Sequence, residues 1–476
     1  MVFSSMTFLL LFLPITLLLY SLRSNIKWKN GVLLAASLLF YAWGEPVYIL
    51  LMLLSVGVNY VCALRIDQSR SKPHLRRLWL IVGVVASTVF LVWFKYAAFL
   101  VNSAAGIFSL PFHMAEKKLP IGISFYTFQV LTYTVDVYRK KARVQKNPAW
   151  LLLYVSCFPQ LIAGPIVQYS DVEGMLLERP FHPVRFSEGA RRFVVGLAKK
   201  VVLANLCGAA VSLLDPADAS LQMSVTGAWY SALMYTMQIY FDFSAYSDMA
   251  IGLGRILGFD YKENFNYPYI SGSISEFWRR WHISLGSFFR DYVYIPLGGS
   301  RKSARRTALN MMIVWSLTGM WHGASWNFIL WGMYYGLLML FERFVIGRKR
   351  MENIPYAVRL PVVFLLTVFG WVIFYHTDLT MAARQLMAMI GIGVSEGGMT
   401  VLPFINPLTL AVIRKYSFIP LIAAVACLPI LPAVKNRLPQ NGFTQAASYV
   451  LATGLLLISL VFLVGQSFNP FIYFRF

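Results

Sequence analysis

The run 309–341 contains no Lys, Arg, Asp or Glu. As one straight helix it would reach about 50 Å, whereas the hydrocarbon core of a bilayer is roughly 30 Å thick. One plain span does not fit, so the run is expected to bend or break. Gly319 and Gly323 bracket His322 in Leu317-Thr-Gly-Met-Trp-His-Gly-Ala-Ser-Trp326, which makes this the place for the break. An imidazole at membrane depth costs free energy unless it faces a polar cavity. Histidine is also the side chain best suited to take and return a proton near neutral pH. His322 is therefore the first candidate for chemistry.

The rest of the chain has the same solvent preference. Hydrophobic residues make up 58% of the 476 and charged residues only 13%, too few to solvate a water-facing surface of that size. Apolar stretches recur along almost the whole length, so residues 1–476 read as a single polytopic transmembrane domain. Candidate spans are 6–22, 31–44, 46–64, 78–100, 119–138, 193–214, 222–241, 357–376, 381–394, 402–413, 417–434 and 446–466. Segment 151–169 is apolar but interrupted by Pro159, Gly164 and Pro165, and is expected to be re-entrant with its backbone covered by protein. The first apolar run lacks a basic leader and a small-residue cleavage pattern, so it reads as a retained span and not a signal peptide.

The formal charge of +22 lies in short loops between apolar runs, where topology and anionic lipid headgroups account for it. No RNA- or DNA-binding motif accompanies it, and no nucleic-acid partner is expected. Basic clusters follow the first span (Arg23, Lys27, Lys29), the third (Arg65, Arg70, Lys72, Arg76, Arg77) and the fifth (Arg139, Lys140, Lys141, Arg143, Lys146). If basic loops face the cytoplasm, the N-terminus is outside, and so are Asp215 and Asp218. The four cysteines stand singly in apolar stretches, which points to neither a disulfide framework nor a metal site.

Residues 276–292 are periodic. On a helical wheel Glu276, Arg279, Arg280, Arg290 and Asp291 share one face and the aromatic residues the other, so an amphipathic interfacial helix is expected. On spacing alone, His282 at the edge of the aromatic face reads as a half-solvated interfacial residue. Asp136 follows Gln129 by seven residues in an apolar helix beside Arg139, and Asp242 lies six residues before Asp248 in another. Carboxylates in such helices are costly unless paired. They read as structural ion pairs, for example with Arg255 or Arg279, or else as the wall of a polar cavity or an orienting partner for a histidine. Asn264-Phe-Asn-Tyr-Pro268 is a loop signal. No nucleotide-binding glycine loop, no G-x-S-x-G nucleophile motif and no metal-ligand spacing is present.

Six segments occur in order: Leu119-Pro-Ile-Gly-Ile-Ser-Phe-Tyr-Thr-Phe-Gln129, Phe158-Pro-Gln-Leu-Ile-Ala-Gly-Pro165, Tyr240-Phe-Asp-Phe-Ser-Ala-Tyr-Ser-Asp-Met-Ala-Ile-Gly252, Asn264-Phe-Asn-Tyr-Pro268, Glu276-Phe-Trp-Arg-Arg-Trp-His282 and Trp321-His-Gly-Ala-Ser-Trp326. Together they closely resemble the membrane-bound O-acyltransferase family, in its bacterial alginate O-acetyltransferase branch. The architecture is shared with the D-alanyl transferase of teichoic acid modification. The resemblance implies an all-α polytopic membrane protein, a ring of tilted helices around a funnel-shaped core with re-entrant and interfacial helices. It implies His322 as the essential catalytic residue and His282 as the usual second position. Gln129, Asp136, Asp242, Trp321 and Asn327 are the cavity or donor-binding candidates. The aromatic tail Asn469-Pro-Phe-Ile-Tyr-Phe-Arg-Phe476 resembles the tail tied to acyl relay in D-alanylation, which makes Tyr473 either an intermediate acceptor or an interfacial anchor.

The function this implies is O-acylation of an exported or cell-wall polysaccharide from the bacterial cytoplasmic membrane. The donor would be acetyl-CoA or another acyl thioester, with no tightly bound cofactor. A partner acyltransferase of SGNH type would act outside. D-alanyl transfer from a carrier protein is the alternative within the class. A non-catalytic polysaccharide transporter or scaffold is the alternative outside it, but inverted repeats, which it predicts, are not visible.

Overall fold

A computed structural model describes residues 1–162, 164–215, 223–395, 398–439, 441–465 and 471–472. The chain forms two compact, interleaved units, residues 1–197 with 246–263 and residues 198–245 with 264–476. Among the described residues, six helices are long and apolar enough to cross a membrane: Ile49–Gln68, Pro73–Ile107, Pro183–Leu213, Trp326–Ile346, Tyr356–Tyr375 and Gly442–Gly465.

In the first unit, helices Ile49–Gln68, Pro73–Leu91 and Ile123–Tyr138 pack through small and polar residues. A side chain at Gly83 would meet Thr134 at 3.0 Å, so the backbones approach closely there. Asn59 sits at this crossing. Its amide donates to Ser87 Oγ at 2.8 Å and accepts from Thr134 Oγ1 at 2.8 Å. With lipid as solvent, small residues and interhelical hydrogen bonds do what hydrophobic exclusion does in water. Segment 151–169 breaks as its prolines predict. Helix Pro148–Ser156 ends there, Phe158, Gln160 and Leu161 are buried, and the Phe158 N–H donates to Ser37 Oγ at 3.1 Å.

The second unit is built around the broken run. Helix Ala304–His322 stops at His322, and helix Trp326–Leu340 returns beside it. Glycine permits the contact. A Cβ on Gly319 would lie 2.2 Å from the Phe328 carbonyl oxygen, and one on Gly332 2.3 Å from that of Trp315. Trp281, Trp315, Trp331, Trp371, Phe277, Tyr335 and Phe374 fill the core of this unit.

Three expectations need correcting. The interfacial helix over 276–292 is two short helices, Ile274–Arg280 and Ile283–Phe289, with a turn between them at His282. The wheel pattern was real, but a tertiary contact described below overrides it. Segment 381–394 is not one span. Helix Leu379–Met389 gives way to an antiparallel hairpin of Ile392–Ser395 with Gly398–Val401. Gly391 at φ 88° and Gly398 at φ 111° adopt the left-handed backbone that ends a helix and turns a strand. Segments 402–413 and 417–434 become Pro407–Lys415 and Ile419–Ala426, bent by 57°, followed by Ile430–Arg437.

Candidate active site

His322 is the last residue of its helix and is 6% exposed. The helix stops there because Gly323 is extended and crowded: a Cβ on it would lie 2.2 Å from the Phe328 ring. The rings of Trp321, Trp331 and Phe374 surround the imidazole, with centroids 4.9, 5.0 and 5.1 Å away. One side of His322 opens on a cleft of about 340 Å³ including its mouth. Asp242, Phe243, Trp281, Trp371, Phe374 and Ile472 share this wall.

Asp242 is the charged group of the cleft. Its Oδ1 accepts from Lys200 Nζ at 2.5 Å, with both side chains at most 3% exposed. Its Oδ2 accepts from the backbone N–H of Ile472 at 2.7 Å. The expected ion pair is therefore present, but the partner is Lys200 and not Arg255 or Arg279. Lys200 lies in a π-helical turn, Lys199–Ala204. Such turns offset side chains from the ordinary helical faces and recur at functional sites. Breaking a buried pair of this kind by removing one partner typically costs about 3–5 kcal/mol. The pair also holds Phe471 and Ile472. Phe471 is buried, and Lys200 Nζ stands 4.6 Å from the centre of its ring. Tyr473 lies outside the described residues.

His282 is 1% exposed and not half-solvated, which overturns the interfacial reading. It occupies the left-handed backbone region, at φ 45° and ψ 52°. A non-glycine residue there costs roughly 1–3 kcal/mol and persists only where its surroundings hold it. Here Asn264 does so. Its backbone carbonyl accepts from Ile283 N at 2.9 Å, while Asn266 N donates to the Arg280 carbonyl at 2.9 Å. The Asn264 Oδ1 accepts from Ser284 N at 3.2 Å and from Ser284 Oγ at 2.8 Å. His282 Nδ1 is 3.2 Å from the same oxygen. An oxygen that already accepts from a backbone N–H can only accept from the ring as well, so Nδ1 carries the proton. The Nε2 lone pair is left buried with no hydrogen-bond partner. Burial pushes the imidazole pKa down to about 3, which keeps the ring neutral at physiological pH.

The two histidines are joined through Trp321, whose ring lies 5.7 Å from that of His282 and 4.9 Å from that of His322. Asn327 supports the wall: its amide donates to the carbonyls of Ile373 and Phe374, each at 3.4 Å. Gln129 and Asp136 belong to the first unit. Both are buried, Asp136 lies 3.6 Å from Lys141 Nζ, and neither amide atom of Gln129 has a hydrogen-bond partner. Asp248 pairs with Arg192 at 2.9 Å.

Sequence reasoning missed Asn264, read as loop, and Lys200. Each stood next to a usable signal: two asparagines in an otherwise aromatic loop, and a lysine inside an apolar run. Among the described residues no group of His, Cys, Asp and Glu is arranged to hold a metal ion.

A family profile for membrane-bound O-acyltransferases matches residues 7–381, well over half of the chain and inclusive of both histidines. The chain belongs to the membrane-bound O-acyltransferase family. It is a multi-pass membrane protein and an O-acyltransferase. A protein named as a probable alginate O-acetylase in Pseudomonas aeruginosa is 44% identical over 83% of this chain and 75% of its own length. One of the same name in Azotobacter vinelandii is 39% identical over the whole of both chains. A peptidoglycan O-acetyltransferase of Helicobacter pylori is 32% identical over 100% of this O-acyltransferase and 98% of itself.

Proposed function

We propose that this O-acyltransferase takes an acetyl group from an acyl thioester, acetyl-CoA by preference, and delivers it toward a polysaccharide hydroxyl outside the bacterial cytoplasmic membrane. The observation that carries the reading is His322 at the end of a broken helix, on the wall of a cleft that also holds a buried ion pair. The acetyl group and the polysaccharide class are supported by the names of the relatives, which are acetylases of alginate and of peptidoglycan.

In this reading the His322 imidazole accepts the proton of the acceptor hydroxyl as its oxygen attacks the thioester carbonyl. A C–O bond forms, the C–S bond breaks, and the departing thiolate takes the proton from the imidazolium. The ring is flanked by Trp331 and Phe374, so little water competes for the acyl group. His282, which as the family's second position would bind the donor or steady the developing oxyanion, is read here in the first of these roles. A ring whose one proton is held by Asn264 has nothing to donate from Nε2, so that nitrogen can serve only as a hydrogen-bond acceptor. The Asp242–Lys200 pair holds Phe471 and Ile472, and Tyr473, next after Ile472, is the proposed intermediate acceptor that hands the acyl group to an SGNH-type partner outside.

The test is polysaccharide O-acetylation in cells. His322→Ala and Tyr473→Phe are each expected to abolish it at normal expression of the variant protein. Normal acetylation by His322→Ala would sink the mechanism, and normal acetylation by Tyr473→Phe would leave that residue an anchor. Orientation is checked separately. Cysteines at Lys72 and Arg143 are expected to react only with reagent inside, and reversed labelling would reverse the direction of transfer.

A further inference from the structure

Away from the histidines, the first unit holds a second cleft of about 310 Å³ including its mouth. Lys29, Arg179, His182, Arg185 and Arg255 line it, with Tyr20, and no carboxylate does. Two of the cations are balanced by acids nearby: Arg185 pairs with Asp260, and Arg255 lies 3.6 Å from Glu188. The other two are not. Lys29 is 8% exposed and Arg179 4%. Among the described residues Lys29 Nζ reaches only the Arg179 carbonyl, at 3.4 Å, and the face of the Tyr20 ring. Arg179 donates to the Met175 carbonyl at 2.6 Å, the Asn30 amide oxygen at 2.6 Å and the Tyr20 hydroxyl at 3.3 Å. All of these acceptors are neutral. Burial and the adjacent Arg179 guanidinium both pull the Lys29 ammonium below its ordinary value.

Two nearly buried cations side by side with no carboxylate between them are expensive unless an anion completes the site. The local backbone points the same way. Helix Pro183–Ala198 begins directly after His182, a lining residue, so the partial positive charge of its N-terminus adds to the field of the cleft. Gly258, at φ 87°, lets the chain close over Arg179, whose Cβ would be 3.2 Å from a side chain there.

We infer that this cleft is a phosphate-binding site. Arg185 and Arg255, the more exposed cations of the cleft, present their guanidinium groups to a phosphate group, and the buried Lys29 and Arg179 supply further charge. Two sources share that chemistry: the phosphates of a coenzyme A thioester, and the headgroup of an anionic phospholipid. The inference stands on the cleft alone. A fully active His322→Ala variant would remove the proposed mechanism and leave this site untouched.

The experiment uses the whole protein in nanodiscs of phosphatidylcholine, with coenzyme A as the soluble probe and phosphatidylglycerol as the lipid probe. Lys29→Met keeps the stem and removes the charge. Arg255→Gln changes a half-exposed residue and serves if Lys29→Met proves unstable. Weaker coenzyme A binding in these variants, by about tenfold for each lost phosphate contact, establishes the site with a nucleotide source. Unchanged coenzyme A binding with loss of one tightly held phosphatidylglycerol, read by native mass spectrometry, establishes it with a lipid source. Unchanged binding of both probes in a folded variant overturns the inference.

Discussion

The two histidines sit at two helix breaks that are made in different ways. At His322 the break is built from glycine and apolar rings: Gly323 has no room for a side chain, and the imidazole is walled by Trp331 and Phe374. At His282 the break is built from hydrogen bonds: Asn264 holds the turn through its backbone and its side-chain oxygen. The first arrangement leaves an imidazole on an open wall. The second fixes a tautomer, with Nδ1 protonated and Nε2 able only to accept. In the proposed mechanism these two residues of one type take different chemical tasks, the first as carrier of protons and the second as fixed acceptor.

Putting a side chain at Gly323 attacks the first break. Gly323→Val forces two methyl groups onto the Phe328 ring, and overpacking of this kind costs typically about 1–3 kcal/mol. Because the displaced ring lies against Phe374, itself a wall of His322, acyl transfer is expected to fall together with the melting temperature. An unchanged melting curve would mean that the break tolerates bulk and that glycine is not its cause.

The second break is attacked at Asn264. Asn264→Ala removes the acceptor shared by His282 Nδ1, Ser284 N and Ser284 Oγ, at a cost of about 1–3 kcal/mol for the groups left buried. Asn264→Asp keeps the oxygen and is expected to restore the turn. It also places a negative charge beside the ring and so raises the imidazole pKa from its depressed value. Histidine resonances followed through a pH titration would show that rise. An unmoved titration in Asn264→Asp would separate the ring from its supposed partner.

The same contrast explains what could be read from the sequence. The break at His322 was legible because its causes are local: a charge-free run too long for one span, and glycines on either side of the histidine. The turn at His282 was not, since its cause is Asn264, eighteen residues earlier and inside what reads as a plain loop. Periodicity over 276–292 even pointed to a continuous helix, because both short helices bury aromatic rings. Asp242 was recognised as a carboxylate in need of a partner, but nothing in the spacing identifies Lys200, 42 residues before it. The pairing of Ile392–Ser395 with Gly398–Val401 was lost for the opposite reason, the glycines being local signals outweighed by the apolar residues around them.

In the proposed mechanism His322 carries the proton while His282 only accepts a hydrogen bond. Single-turnover acyl transfer from acetyl-CoA by the purified protein tests it most directly, with His322→Gln and His282→Gln measured side by side. A glutamine oxygen can still accept a hydrogen bond but cannot shuttle a proton. A loss of about 10³-fold or more is expected in His322→Gln, within the range that general acid–base catalysis contributes, and a clearly smaller loss in His282→Gln. Equal and complete loss in both folded variants would show that the histidines act as one unit and would contradict the division of roles.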